Sequence, residues 1–109
     1  MKIPEDAIIS ESKFTKYLLV FKPRNDKSQF LAQADFTLKN WQKLKIAIQQ
    51  LNRSAEAVVG RTNEYGTFYN VYGELQGTNR RNISLVTVWL KRQSDGKFQF
   101  ITLIPKKPK

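Results

Sequence analysis

A chain of 109 residues is close to the commonest size for one domain and leaves no room for two cores of ordinary size. Apolar residues at 40% and aromatics at 12% exclude a disordered chain, and the lack of cysteine and histidine excludes disulfides, the usual zinc sites, and Cys–His or Ser–His nucleophiles. Nineteen Lys and Arg against nine acidic residues give +10, a field that draws phosphates, an acidic protein or an anionic surface, with solubility as the plainer reading.

The opening Met1-Lys2-Ile3-Pro4-Glu5-Asp6 turns acidic at once and lacks the apolar core of a signal peptide. No later apolar run nears the roughly 20 residues of a membrane helix, so a cytoplasmic protein without membrane contact is expected. Ile3 to Ile9 reads as a short extended or irregular lead-in, because Pro4 restricts its neighbour. Ser10 or Ser12 then offers an N-cap for a helix over Glu11 to Val20, with Phe14, Tyr17, Leu18 and Phe21 at helical spacing and Pro23 as the stop.

Lys22-Pro23-Arg24-Asn25 reads as an exposed basic loop. Asp26 can cap a short helix from Lys27 to about Gln33 that turns Phe30 and Leu31 inward. Thr37 caps the strongest element, a helix to about Leu51 with Trp41, Leu44, Ala47, Ile48 and Leu51 on one stripe.

After Asn52-Arg53-Ser54 the period changes to two. Four stretches predict strands at about 55–62, 67–76, 83–92 and 97–104, joined by turns short enough for antiparallel neighbours, and the simplest order is a meander. The third is apolar on both faces apart from Thr87, as a central strand covered on at least one side should be. The fold class is α+β: N-terminal helices packed on a C-terminal four-stranded antiparallel sheet, residues 1–105 forming one domain and 106–109 a basic tail that should fray.

The run Tyr65-Gly66-Thr67-Phe68-Tyr69-Asn70-Val71-Tyr72-Gly73-Glu74-Leu75 resembles the signature hairpin of an uncharacterised family of small bacterial domains, some of them similar to C-terminal toxin modules. Asp26-Lys27 followed by Phe30, Phe36 with Asn40-Trp41, Thr87-Val88-Trp89, and Thr102 with Pro105 match that pattern in order and spacing from about residue 3 to 105. The sequence departs from it at Val86 and Gln99, where many members carry Arg. The order of elements resembles in turn the fold of barnase, RelE-type and colicin-type ribonucleases, which implies an RNA-directed protein of toxin type with RNA or an acidic antitoxin-like protein as partner.

Metal-independent RNA cleavage needs a base near the 2′-hydroxyl, cations for the phosphate and an acid for the leaving oxygen, and none of these must be histidine. Lys27 is the first candidate base, beside the basic loop of Lys22 and Arg24, since like charges and burial pull a lysine toward neutrality; a solvated first-turn lysine is the plainer alternative. Thr67 and Tyr69 share a strand face that Thr87 and Thr102 could join, unless these hydroxyls are merely good strand formers. Arg61, Arg80 and Arg81 could grip phosphate oxygens or be simply solvated. Trp41 and Trp89 fit the core better than a stacking surface, and no P-loop, dinucleotide fingerprint, metal site or cofactor is expected. The alternative to a ribonuclease is a non-catalytic module that binds nucleic acid or an acidic protein.

Overall fold

The computed structural model describes residues 1–23 and 26–106. The lead-in begins at one edge of the molecule, where Ala57 donates its N–H to the Met1 carbonyl at 2.6 Å, and crosses with Ile3 buried in the core. It reaches the opposite edge at Ile8, which forms a parallel bridge with Gln99.

Helix α1 (Glu11–Lys13) opens at once into a π-helical turn over Phe14–Leu18, closed by the Leu19 N–H on the Phe14 carbonyl at 3.1 Å. The spacing predicts regular helix to Val20 with Tyr17 and Phe21 inward. The wider turn shifts the phase, so Phe14, Leu18 and Leu19 are buried while Tyr17 and Phe21 face out.

Helix α2 (Ser28–Ala32) begins beside the capping residue that the sequence predicts: Asp26 Oδ1 accepts the Ser28 N–H at 3.2 Å and the Ser28 hydroxyl at 2.7 Å. Asn40 reaches back to the Thr37 N–H at 2.7 Å, which fastens a 3₁₀ turn (Leu38–Asn40) ahead of α3 (Trp41–Ser54). The apolar stripe of α3 lies in the core through Leu44, Ala47, Ile48 and Leu51, as its spacing predicts.

Strands β1 (Ala57–Asn63), β2 (Gly66–Gln76), β3 (Asn82–Arg92) and β4 (Phe98–Pro105) form the antiparallel meander in chain order. Gly66 closes the first hairpin at φ +144, where a Cβ would lie 2.0 Å from the Lys91 carbonyl oxygen; only glycine fits. The buried side chains of the helices join Val71, Leu75, Leu85, Trp89, Phe100 and Leu103 in one cluster. Four rings stitch that cluster together. Trp41 stacks on Phe14 at 6.0 Å, Phe14 on Phe100 at 5.9 Å, and Phe100 meets Trp89 edge-on at 5.2 Å.

The last strand departs from regular pairing at one place. Trp89 pairs with Phe100 but Val88 pairs with Thr102, so Ile101 is an extra residue and β4 bulges there. The bulge keeps Phe98, Phe100 and Leu103 all on the core face and puts Thr102 one step out of phase with them. Of the basic tail only Lys106 is described, and its N–H donates to the Ser84 carbonyl at 3.0 Å.

Candidate functional site

The π turn, the start of α2 and the bulged edge of β4 enclose a groove of about 400 Å³ lined by Lys13, Tyr17, Leu18, Lys22, Lys27, Ile101 and Thr102. The pairing of Ile8 with Gln99 occupies the β4 edge just before these residues and leaves Ile101 and Thr102 facing the groove. Lys27 is one of its lining residues. Its ammonium donates to Thr102 Oγ1 at 2.8 Å, and the Thr102 hydroxyl points its own hydrogen toward the Leu103 carbonyl at 3.4 Å. One lone pair of Thr102 is thereby aimed at Lys27 and fixes where the amine sits.

Lys27 is half-buried, and that desolvation is the main cause of a pKa below the ordinary lysine value. The charges of Lys22 and then Lys13 add to the effect. Both gather around Tyr17: Lys22 Nζ is 4.2 Å and Lys13 Nζ 5.8 Å from its ring centroid. Asp26, adjacent in sequence, turns its carboxylate to the Ser28 hydroxyl and N–H and to the Lys22 N–H at 3.3 Å. Those hydrogen bonds, the Ser28 hydroxyl first, hold its carboxyl below the usual range. The ion pairs among the described residues join the Met1 amino group to Glu56, Arg53 to Glu5 and Arg92 to Asp95, so no carboxylate pairs with the three groove lysines there.

The other expected site residues lie apart. Arg24 falls outside the described residues. Thr87 is fully buried, accepts the Trp89 indole N–H at 2.9 Å and faces the Val71 carbonyl at 3.5 Å, so its hydroxyl satisfies the core. Thr67, Tyr69 and Thr87 do share one face, but it is the helix-covered face, and the bulge sends Thr102 to the other one. Tyr69 packs its ring against Phe98 at 5.3 Å. Arg61 sits over the Phe68 ring at 5.3 Å. Arg80 and Arg81 are exposed in the β2–β3 turn, which is docked on the end of α2 through Thr78 N–H to the Ala34 carbonyl at 3.1 Å and the Asn79 amide to the Gln33 carbonyl at 3.0 Å.

A family model described as a domain of unknown function, DUF6883, matches residues 2–107. The chain belongs to that family. No curated protein matches it. The DUF6883 chain is similar in structure to a chain of the contact-dependent growth inhibition toxin–immunity protein complex from Klebsiella pneumoniae 342, with a TM-score of 0.71 and 17% identity over 94% of this chain and 96% of the other. At that identity the likeness shows the fold.

In this DUF6883 domain the groove unites Lys22, Lys27 and Thr102 of the expected residues and adds Lys13 and Tyr17. Lys13 carries no signal in the sequence beyond its charge. Tyr17 falls on the 3.6-residue period, which points it inward, and only the π turn brings it out. Among the described residues no cluster of acidic side chains could hold a metal ion, and no helix is long and apolar enough to cross a membrane.

Proposed function

We propose that this chain is an RNA-directed protein of toxin type, a metal-independent endoribonuclease whose base is Lys27. The observation that carries this reading is the Lys27–Thr102 pair, a half-buried amine fixed by a hydroxyl and crowded by two further lysines in one open groove. A lysine so placed gives up its proton at lower pH than a solvated one. The fold shared with a chain of a toxin–immunity complex supports a role on one side of such a complex, and the basic groove is what favours the toxin side.

In the proposed reaction the neutral Lys27 amine takes the proton of the 2′-hydroxyl. The 2′-oxygen attacks phosphorus, and the bond from phosphorus to the 5′-oxygen breaks. Tyr17 gives its phenolic proton to the departing oxygen, which leaves a 2′,3′-cyclic phosphate on one fragment and a 5′-hydroxyl on the other. Lys13 and Lys22 hold the phosphate oxygens as charge builds on them. Water returns a proton to Tyr17 and removes one from Lys27.

Purified protein incubated with RNA in excess chelator is expected to yield cyclic-phosphate ends, and Lys27→Ala to slow cleavage by about 10²–10⁴-fold, the usual worth of a general base. Intact RNA after long incubation with folded protein removes the catalytic reading. The neighbour's partner favours a second reading, in which an acidic antitoxin-like protein places carboxylates among the same lysines.

A further inference from the structure

The helices cover one face of the sheet, and the other face is open. Alternation along β2 places Phe68, Asn70 and Tyr72 on that face, opposite Leu90, Val88 and Val86 of β3. Two of these residues are aromatic, and each has a cation over its ring. The Arg61 guanidinium lies 5.3 Å from the Phe68 centroid, and the Lys106 ammonium 5.6 Å from that of Tyr72. Tyr72 is 47% exposed, although a ring that size ordinarily gains from burial.

We propose that this open face is a second RNA-contact surface, a platform on which single-stranded RNA stacks its bases on Phe68 and Tyr72 and pairs its phosphates with Arg61 and Lys106. It rests on the RNA reading above and names the substrate class: unpaired strands. Every base has a π-face, so such a platform is tolerant of sequence, but a duplex hides those faces between neighbouring pairs. The two rings are four residues apart on one strand, about 13 Å, which leaves room for a nucleotide between them.

Register connects the platform to the groove. Asn70, midway between the rings, pairs with Val88, and Val88 pairs with Thr102, the residue that holds Lys27. From β2 to β4 is two strand spacings, about 10 Å. A strand anchored on the rings therefore runs along this row to the β4 edge, where Thr102 holds the Lys27 amine. A second copy of the chain fits the face poorly, because its own Arg61 and Lys106 would be brought toward theirs on two molecules of net charge +10. The aliphatic neighbours of the rings also suit a protein, and the experiment separates that case.

The probe is a fluorescent 2′-O-methyl oligouridine, which lacks the hydroxyl that cleavage consumes and so reports binding alone. Tyr72→Ala and Phe68→Leu are each expected to weaken its binding about tenfold, within the range for losing one stacked base, while Tyr72→Phe binds as the wild type does. A duplex of the same length is expected to bind more weakly and not to respond to Tyr72→Ala. The platform is overturned if both variants bind the single strand normally, if the duplex binds equally well, or if β2 and β3 amides are undisturbed by the bound strand, an outcome that reserves the face for a protein. Lys27→Ala, slowed in cleavage, should retain the dependence of binding on Tyr72. Loss of the catalytic reading thus leaves this test intact, and cleavage by Tyr72→Ala at the wild-type kcat/KM would remove the platform while sparing the groove.

Discussion

Lys27 is placed where protonation is opposed by burial first, by Lys22 second and by Lys13 third. Its protonated form is penalised in the folded chain relative to the unfolded one. The cost to stability is present at low pH and is relieved as pH rises from the lowered pKa toward the unfolded value, because over that interval the unfolded chain binds more proton. If Lys27 is the base of the proposed cleavage, the rate follows the same titration, rising with pH and levelling off above the Lys27 pKa. Lys22→Ala removes the larger of the two repulsions, so the Lys27 pKa should rise and the ascending limb of kcat/KM move to higher pH. Lys13→Ala should move it less. A limb that stays in place in both variants would show that some other group titrates. The choice of Lys27 is legible in the sequence because an Asp-Lys pair after a basic loop announces a cation at a helix start. Its partner is not: Thr102 lies 75 residues away, and nothing local in either segment points to the other.

At the scale of elements, every strand and the long helix are legible, since periods of 2 and 3.6 follow directly from which side of each element is buried. What escapes are the places where one residue is added to a period. The π turn adds one to a helical turn and puts Tyr17 into the groove, and the bulge adds Ile101 to β4 and sends Thr102 away from Thr87. Such insertions leave composition untouched, so alternation carried on from Phe98 and Phe100 assigns Thr102 to the wrong face. Gly77 shows a third kind of information that patterning lacks, close approach between elements. A Cβ there would lie 2.3 Å from the Ala34 carbonyl oxygen and 2.5 Å from the Ala34 Cβ, and the contact is with backbone that cannot swing away. Gly77→Ala should therefore push the β2–β3 turn off α2, lengthen the Thr78 and Asn79 hydrogen bonds and cost about 1–3 kcal/mol, as overpacking usually does. Denaturant melts measure the loss. Because the groove is built from the π turn, the start of α2 and β4, cleavage per folded molecule should remain near wild type, and a collapse of activity at unchanged stability would show that the β2–β3 turn belongs to the site.

For the whole molecule, the question posed by a charge of +10 is whether the cations gather or merely spread. Lys13, Lys22 and Lys27 gather in the groove, and Arg61 and Lys106 flank the rings of the open face. Arg80 and Arg81 occupy a turn that shares neither place, and Arg92 is tied to Asp95, whose carboxyl it holds down at about 2. Counterion release turns this distribution into a measurable slope, since each phosphate neutralised on a single strand contributes about 0.7 to the fall of log K with log salt. If one strand engages groove and platform together, the four cations assigned to its phosphates, Lys13, Lys22, Arg61 and Lys106, act on it and the slope should approach about −2.8. Lys106→Gln should then lower the magnitude by about 0.7. Arg80→Asn with Arg81→Gln removes two charges from the total yet should leave the slope where it was. Net charge alone predicts the reverse ranking, because two lost charges would matter more than one. An equal or larger effect from the arginine pair would thus mean that the RNA responds to the overall field of the protein, and that the groove and the open face do not form one continuous path.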